Sequence, residues 1–425
     1  GGTHLPDITL IAPVFNGITL MGFVANRAHH ANVGGSTPGS MPISRHLEDE
    51  GILISPTHIM RGGRVVDQVM DRLARGSTQA MGDFSAQISA NRAGARRLEA
   101  LIEQFGVSQY RDYLDGLNDY GRKLAESALA DIPAGRYEYT DFLDDDSQET
   151  SDIRIQVAIE VSSTANTDVK SVQVDFTGTD PQVPGNINCP LSVAAAAVFY
   201  VFRCLMPPQT PACAGTFSVL SLEAPKGCLL NAEYPAAVAA GNVETSTRAV
   251  DAVLGALAQA LPERIPAASH GSMNNVAMGA VATPEHPRWD YYETIGGGMG
   301  ASRHRHGVSA VQTHMTNTLN TPVESVELHY PLRVTAYGIR RGSGGQGKYH
   351  GGDGIIRELE FLAPAQVTLL TERRVHAPWG LGEAASGAVG VNLLNGRVLP
   401  GKTMFHASAG DCLRIETPGG GGCNA

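Results

Sequence analysis

The chain has no apolar run approaching the ~18 residues of a membrane span, so no part of it reads as a transmembrane helix. Cysteine is scarce. Cys189, Cys204, Cys213, Cys228, Cys412 and Cys423 are the only six among 425 residues, and none stands in a C-x-x-C pair. That excludes a disulfide-stapled scaffold and points to reduced thiols in a cytoplasmic protein. Positive charge is in deficit, with 32 Lys and Arg against 42 Asp and Glu, a net charge of −10. Nucleic acid is thereby excluded as a partner, because phosphate binding needs a basic field, and no basic stripe with interleaved aromatics is present. The opening GGTHLPD has neither the basic n-region nor the apolar core of a signal peptide. There is no G-x-S-x-G elbow, so a serine hydrolase of that type is unsupported. No internal repeat or low-complexity linker stands out.

Glycine, by contrast, is abundant, with 49 residues against a charged fraction of only 17%. This balance predicts much buried backbone and many tight turns, as in a subunit of a larger assembly. A chain of this length exceeds one simple core, so two or three domains are expected. The patterning divides it into a hairpin and helical region over 1–135, an α+β region over 136–330 and a β-rich region over 331–425. The expected fold class is α+β, multi-domain, with mixed sheets, packed helices and a β-rich C-terminal part.

Ile8 to Phe15 and Ile18 to Ala25 are strand-like apolar runs, and Asn16-Gly17 between them is a strong hairpin signal. If these two residues form the turn, each position faces the one that sums with it to 33. His4 then faces His29, and Thr3 faces His30, with Cβ atoms roughly 5 Å apart. Pro6 disfavours a helical His-x-x-Asp, so His4 and Asp7 project from an extended segment. Imidazoles gathered with a carboxylate form a ligand set for a zinc-like or manganese-like ion. Hydrogen-bonded surface histidines are the plainer reading of the same pattern. The glycine-dense loop Gly34 to Pro42 follows, where backbone can approach a ligand closely.

Phe84 to Phe105 has apolar residues at helical spacing, with Asp83 as N-cap and Gly106 as C-cap. A second helix is expected over Tyr110 to Leu129, and others over Ser192 to Leu205 and Thr245 to Leu261. Ile153 to Val161 and Val169 to Phe176 alternate like strands. Asp144-Asp145-Asp146 reads as a solvated turn. Gly342 to Tyr349 nearly matches a Walker A loop, but Tyr349 stands where Ser or Thr must hold magnesium, and a strand follows rather than a helix. A glycine hairpin is the preferred reading. The runs Ile295 to Gly300 and Pro418 to Gly422 could present backbone N–H groups to an anion or could be packing turns. Thr245 or Ser246 is a natural N-cap. Met273-Asn274-Asn275 and His314 to Thr318 are rich in groups that are costly to bury unpaired, so they are exposed or networked.

His4-Leu-Pro-Asp7, Arg27 to Gly35, Thr37 to Met41, Gly185 to Asn188, Gly241 to Ser246, Met273 to Asn275, His314 to Thr318, Arg341 to Gly345, Thr371 to Arg374 and Thr417 to Gly422 recur together in one family. On these motifs the chain resembles the hydantoinase B/oxoprolinase family throughout its length. The resemblance implies a heteromeric, ATP-dependent hydrolase of cyclic amides. ATP-Mg would lie in a hydantoinase A-type partner, and a divalent metal, Zn or Mn, in this chain. The implied ligands are His4, Asp7 and His30, with His29 as the alternate. Asp7 and His30 are the implied catalytic pair, and Asn274, Asn275 or Asn317 could steady an oxyanion. Asn32 stands where the family commonly has Asp, which weakens an acidic supporting role there. The family also carries an Asn-Asp-Pro motif before Gly-Gly-Thr-His, whose Asp can join the metal set. An ATP-dependent ketone carboxylase subunit, or a structural subunit with a vestigial site, are the other readings of the same pattern.

Overall fold

The computed structural model describes residues 2–30, 32–74, 78–163, 170–282 and 288–424. Strands β1 (Asp7–Asn16) and β2 (Thr19–His29) form the predicted antiparallel hairpin, but its turn is Gly17-Ile18 rather than Asn16-Gly17. Gly17 supplies the positive φ, +62°, at the first turn position, which suits a II′ turn and spares Ile18 from adopting one. An irregularity after Val14 shifts the register again, so Asp7, not His4, pairs with His29.

After a small ribbon, β3 (Met60–Arg61) and β4 (Arg64–Val65), come helices α1 (Asp67–Ala74), α2 (Thr78–Phe105) and α3 (Val107–Leu129). Helix α2 starts before the expected boundary, so Asp83 lies inside it rather than capping it. The polar face of α2 docks on the hairpin. Gln87 Nε2 donates to Ile8 O at 2.9 Å and Asn91 Nδ2 to Leu10 O at 3.2 Å, so both hairpin carbonyls are satisfied by amides of the helix. The opposite hairpin face leaves Ile11, Phe15 and Phe23 exposed.

The first large sheet joins β5 (Gly135–Asp145), β6 (Ser151–Ser163), β7 (Lys170–Asp175) and, beyond helices α4 (Leu191–Cys204) and α5 (Ala214–Phe217), β8 (Leu220–Glu223). Alternate residues Ile153, Ile155, Val157, Ile159 and Val161 of β6 point into a core shared with Val198 and Phe202 of α4. Helix α6 (Ser246–Ala260) completes that layer with Val250, Val253 and Leu257. It follows a π-type turn, Gly241–Thr245, and neither Thr245 nor Ser246 caps it through its side chain. Thr245 Oγ1 donates instead to Ile187 O at 2.5 Å and Ser246 Oγ to Asn242 O at 2.6 Å.

The second core lies between two further sheets. One runs β10-β9-β13-β16, from β9 (Asn275–Ala280), β10 (Trp289–Glu293), β13 (Ala365–Leu370) and β16 (Lys402–Ala407). After helix α7 (Val323–His329), β11 (Leu332–Arg340), β12 (Gly354–Phe361), β14 (Val391–Leu394), β15 (Arg397–Leu399) and β17 (Cys412–Glu416) form the other, in the order β11-β12-β17-β14-β15. Val276, Met278, Leu359, Phe361, Val367 and Leu413 fill the space between. Pairing of β9 with β13 crosses the boundary expected at residue 330, because a central strand completes a C-terminal sheet. The fold is α+β, with one mixed sheet, in which β7 and β8 run parallel, antiparallel sheets otherwise among the described residues, and a strand-rich C-terminal part.

Strands β11 and β12 pair antiparallel across Gly342 to Tyr349, so the near-Walker segment is a hairpin loop. It is laminated against the other glycine runs. Gly420 N donates to Gly352 O at 2.9 Å, Gly345 N to Gly420 O at 2.8 Å and Gly298 N to Pro418 O at 3.0 Å. A Cβ on Gly298 would sit 1.9 Å from Gly352 O. Backbone meets backbone here, and a phosphate would find no room.

The acidic stretch is not a solvated turn. Asp144 Oδ2 accepts from Arg374 N at 2.6 Å, and Asp146 Oδ1 accepts from the Gln148, Glu149 and Thr150 amides at 2.9–3.0 Å. Both aspartates are buried, because folding brings backbone donors and cations to them. Nearby, Arg373 Nη2 bridges Asp141 at 3.0 Å and Asp251 at 2.5 Å, while Glu372 takes Lys402 and Arg248. This buried ionic layer ties β5 and α6 to the segment after β13.

A histidine and aspartate cluster at the mouth of the hairpin

His4 lies just before β1, yet its ring still reaches His29. His4 Nε2 lies 3.2 Å from His29 Nδ1 and 3.1 Å from Asp7 Oδ1, and His29 Nδ1 lies 3.2 Å from the same oxygen. The three ligand-type atoms form a triangle, and this is the one such cluster among the described residues. A Zn–N distance of ~2.0–2.1 Å puts neighbouring ligand atoms about 2.9 Å apart in octahedral and about 3.3 Å apart in tetrahedral coordination. The triangle falls within that range.

Its surroundings prepare each atom. His4 is buried, and its Nδ1 lies 3.0 Å from Ala239 O. A carbonyl can only accept, so Nδ1 carries the proton and Nε2 presents its lone pair to the triangle. Ala239 is itself held. Glu50 Oε1 accepts from the Val238 and Ala239 amides at 2.8 and 2.9 Å and from Ser44 Oγ at 2.7 Å. Burial pushes the Glu50 carboxyl up to about 7, against those three hydrogen bonds. On Asp7, Oδ2 accepts from Thr3 Oγ1 and from Asn242 Nδ2, the latter at 3.2 Å on the π-type turn. Burial opposes ionisation of Asp7, but the His29 and His4 rings beside Oδ1 and the Thr3 hydroxyl on Oδ2 outweigh it and hold the carboxyl well below the usual range. Two imidazole nitrogens thus face an ionised carboxylate oxygen, and these residues fit a divalent cation. The ring of Tyr292 stacks on His29 with centroids 5.5 Å apart and 23° between planes.

His30 is not in this group. Alternation along β2 turns it to the other face of the hairpin, where it is buried against Phe84. Its Nε2 lies 3.0 Å from Gln87 Oε1 and its Nδ1 3.9 Å from Asp83. The geometry thus places His29, rather than His30, beside His4 and Asp7, and gives His30 a docking contact to α2. Asn32 Oδ1 accepts from Gly34 N at 2.8 Å and Ser40 Oγ at 3.2 Å, a support of the glycine loop.

The three asparagines considered for an oxyanion are spent or remote. Asn274 Nδ2 donates to Ser272 O and Ile295 O, at 3.3 and 3.0 Å. Asn275 Nδ2 donates to Glu244 Oε1 at 2.8 Å and Leu370 O at 3.0 Å. Each amide has two N–H groups, so none is left for a reacting oxygen. Asn317 is exposed in a loop and joins neither. Sequence reasoning missed Thr3, Glu50, Ala239 and Tyr292. Asn242 lies within one of the family motifs, but nothing local connects it to Asp7, more than two hundred residues away.

The hairpin-mouth site and the paired cores define an α+β protein that carries a His-Asp-His cluster at the edge of a polar, buried interior. The chain belongs to the hydantoinase B/oxoprolinase family, which it matches over residues 1–424. It is 37% identical over 457 residues to 5-oxoprolinase 1 of Arabidopsis thaliana, an alignment covering 99% of this chain and 34% of that protein. It is 33% identical over 445 residues to a Pseudomonas sp. protein described as a B-type D-/L-hydantoinase component, covering 99% and 74%. In structure it is similar to the ATP-dependent caprolactamase of Pseudomonas jessenii, with a TM-score of 0.87 and 25% identity, covering 100% of this chain and 75% of that one. Acetone carboxylase shares the fold at a TM-score of 0.85 and 18% identity, covering 100% and 63%. The chain spans about one third of the length of the 5-oxoprolinases it matches and about three quarters of the hydantoinase component.

Proposed function

We propose that this chain is the metal-holding part of an ATP-dependent hydrolase of cyclic amides, working with a hydantoinase A-type partner that binds ATP-Mg. The observation that carries the reading is the triangle of His4 Nε2, Asp7 Oδ1 and His29 Nδ1, with His4 fixed in the ligand tautomer by Ala239 O. Support for the reaction class comes from relatives named for 5-oxoprolinase, hydantoinase and caprolactamase. A planar amide resists water. Transfer of the γ-phosphoryl group from ATP to its oxygen, with ADP leaving, removes the amide resonance. Water then adds to the carbon, the C–N bond breaks with the nitrogen taking a proton, and hydrolysis of the resulting acyl phosphate gives the ring-opened acid and inorganic phosphate. A zinc or manganese ion at His4, Asp7 and His29 supplies Lewis acidity at neutral pH when bound. The protein's own share is to gather two imidazole nitrogens and a carboxylate oxygen at ligand spacing, with Thr3 and Asn242 fixing Asp7. All six cysteines are free, which supports a cytoplasmic setting.

The test is co-expression with the ATP-binding partner, then incubation with ATP and 5-oxoproline, N-methylhydantoin, caprolactam or acetone. Ring-opened acid formed with ADP supports the reading. Carbon–carbon bond formation that requires carbon dioxide makes the chain a ketone carboxylase subunit instead. Full activity of a His4→Ala/Asp7→Ala variant, with no metal in the wild-type complex, makes the site vestigial.

A further inference from the structure

His29 is the least supported member of the triangle. His4 is buried and tied to Ala239 O, and Asp7 has Thr3 and Asn242 on its outer oxygen. His29 stands at a strand end with a third of its side chain exposed, and its hydrogen bonds all pass through Nδ1. Those bonds fix where one atom points but not the plane of the ring. The plane is set by Tyr292, whose ring lies nearly parallel at 5.5 Å. Tyr292 is in turn anchored from within. Its hydroxyl donates to Asn275 Oδ1 at 2.6 Å, and Asn275 Nδ2 donates to Glu244 Oε1 at 2.8 Å and Leu370 O at 3.0 Å. Asn275 and Glu244 are fully buried, and Glu244 also accepts from Met273 N at 3.0 Å. A polar column therefore runs from the interior, through β9 and β10, to the face of one histidine.

We propose that Tyr292 is a positioning residue for His29, and that the column Glu244–Asn275–Tyr292 holds the His29 ring in the plane that keeps Nδ1 beside Asp7 Oδ1 and His4 Nε2. This inference rests on the metal-centre reading for its purpose, but the restraint on the ring exists without an ion. It also gives Asn275 a role other than oxyanion donor, one that uses all of its hydrogen-bonding groups. Partners that orient metal-ligating histidines commonly change affinity by 10–100-fold when removed.

The experiment uses the full chain in complex with its partner and titrates zinc alone against a competing chelator. Tyr292→Leu removes the stack. Tyr292→Phe keeps the ring and removes only its anchor, so it stays informative if the leucine variant folds poorly. Tyr292→Leu is expected to weaken zinc binding about tenfold or more, and Tyr292→Phe by a smaller factor. In a His29→Ala background the same tyrosine changes should cost nothing further, because the ring they orient is gone. Crystal structures of both variants without metal should show the His29 ring turned away from Asp7. An equal loss in both backgrounds, or an unmoved ring with unchanged affinity, overturns the proposal. A wild-type complex that binds no zinc, yet whose His29 moves in the variants, defeats the metal reading and leaves the positioning role standing.

Discussion

Replacing Glu50 by Gln should flatten the dependence of stability on pH between about 4.5 and 7. Glu50 is fully buried, its Oε2 has no hydrogen-bond partner, and burial pushes its carboxyl from 4.5 up to about 7. The sign follows from proton binding. Below 4.5 the folded and unfolded chains both hold the proton, and pH has no effect through this group. Between 4.5 and 7 the unfolded chain releases its proton while the folded chain keeps it, so rising pH favours unfolding. At ~1.4 kcal/mol for each tenfold change in proton activity, the window removes about 3 kcal/mol. Above 7 the penalty is constant. Glutamine keeps an oxygen for the Val238 and Ala239 amides, and any cost of its unpartnered NH2 group is the same at every pH. Urea unfolding of the metal-free chain, followed by circular dichroism at half-unit steps from pH 4.5 to 8, measures the difference. The wild type should lose about 3 kcal/mol more than the variant across the window. Glu244, also buried and pushed up to about 7, leaves a residual slope in both proteins. Parallel curves for wild type and variant would refute the reasoning, since they mean Glu50 ionises alike in both states.

Zinc titration should separate the neighbouring histidines: His29→Ala loses at least tenfold in affinity, whereas His30→Ala stays within about twofold. An outcome the other way round would return His30 to the ligand set. Asp7→Asn, which removes the charge but keeps the shape, should abolish stoichiometric metal uptake measured by elemental analysis after dialysis. Gly298→Ala places a methyl group 1.9 Å from Gly352 O and should destabilise by at least about 3 kcal/mol in urea. Gly338→Ala, on β11 with nothing within 4 Å, should stay within about 0.5 kcal/mol and serves as its control. Arg373→Met leaves Asp141 and Asp251 buried without their bridging cation and should cost about 3–5 kcal/mol, a figure that a thermal midpoint close to wild type would contradict.

Local chemistry in the sequence was enough for the hairpin, for most helices and for the rejection of a phosphate loop. Asn16-Gly17 between two apolar runs marks a reversal, and Tyr349 in place of Ser or Thr disqualifies the Walker reading, whatever the rest of the chain does. The motif set named the family, and the closeness of His4 and Asp7 was legible from their spacing in an extended segment. Tertiary structure decided the rest. That His29 rather than His30 lies beside His4 and Asp7 depended on the face of β2 that packs on α2, and a slip at the turn together with the irregularity after Val14 replaced the ideal register. The support of the site came from Glu50, Ala239, Asn242 and Tyr292, which no local pattern links to His4 or Asp7. The acid triplet looked solvated because sequence shows a carboxylate's charge but not the amides and cations that folding brings to it. Periodicity and turn chemistry act over a few residues and are written in the chain. Hydrogen bonds between residues two hundred positions apart exist only once the cores have closed.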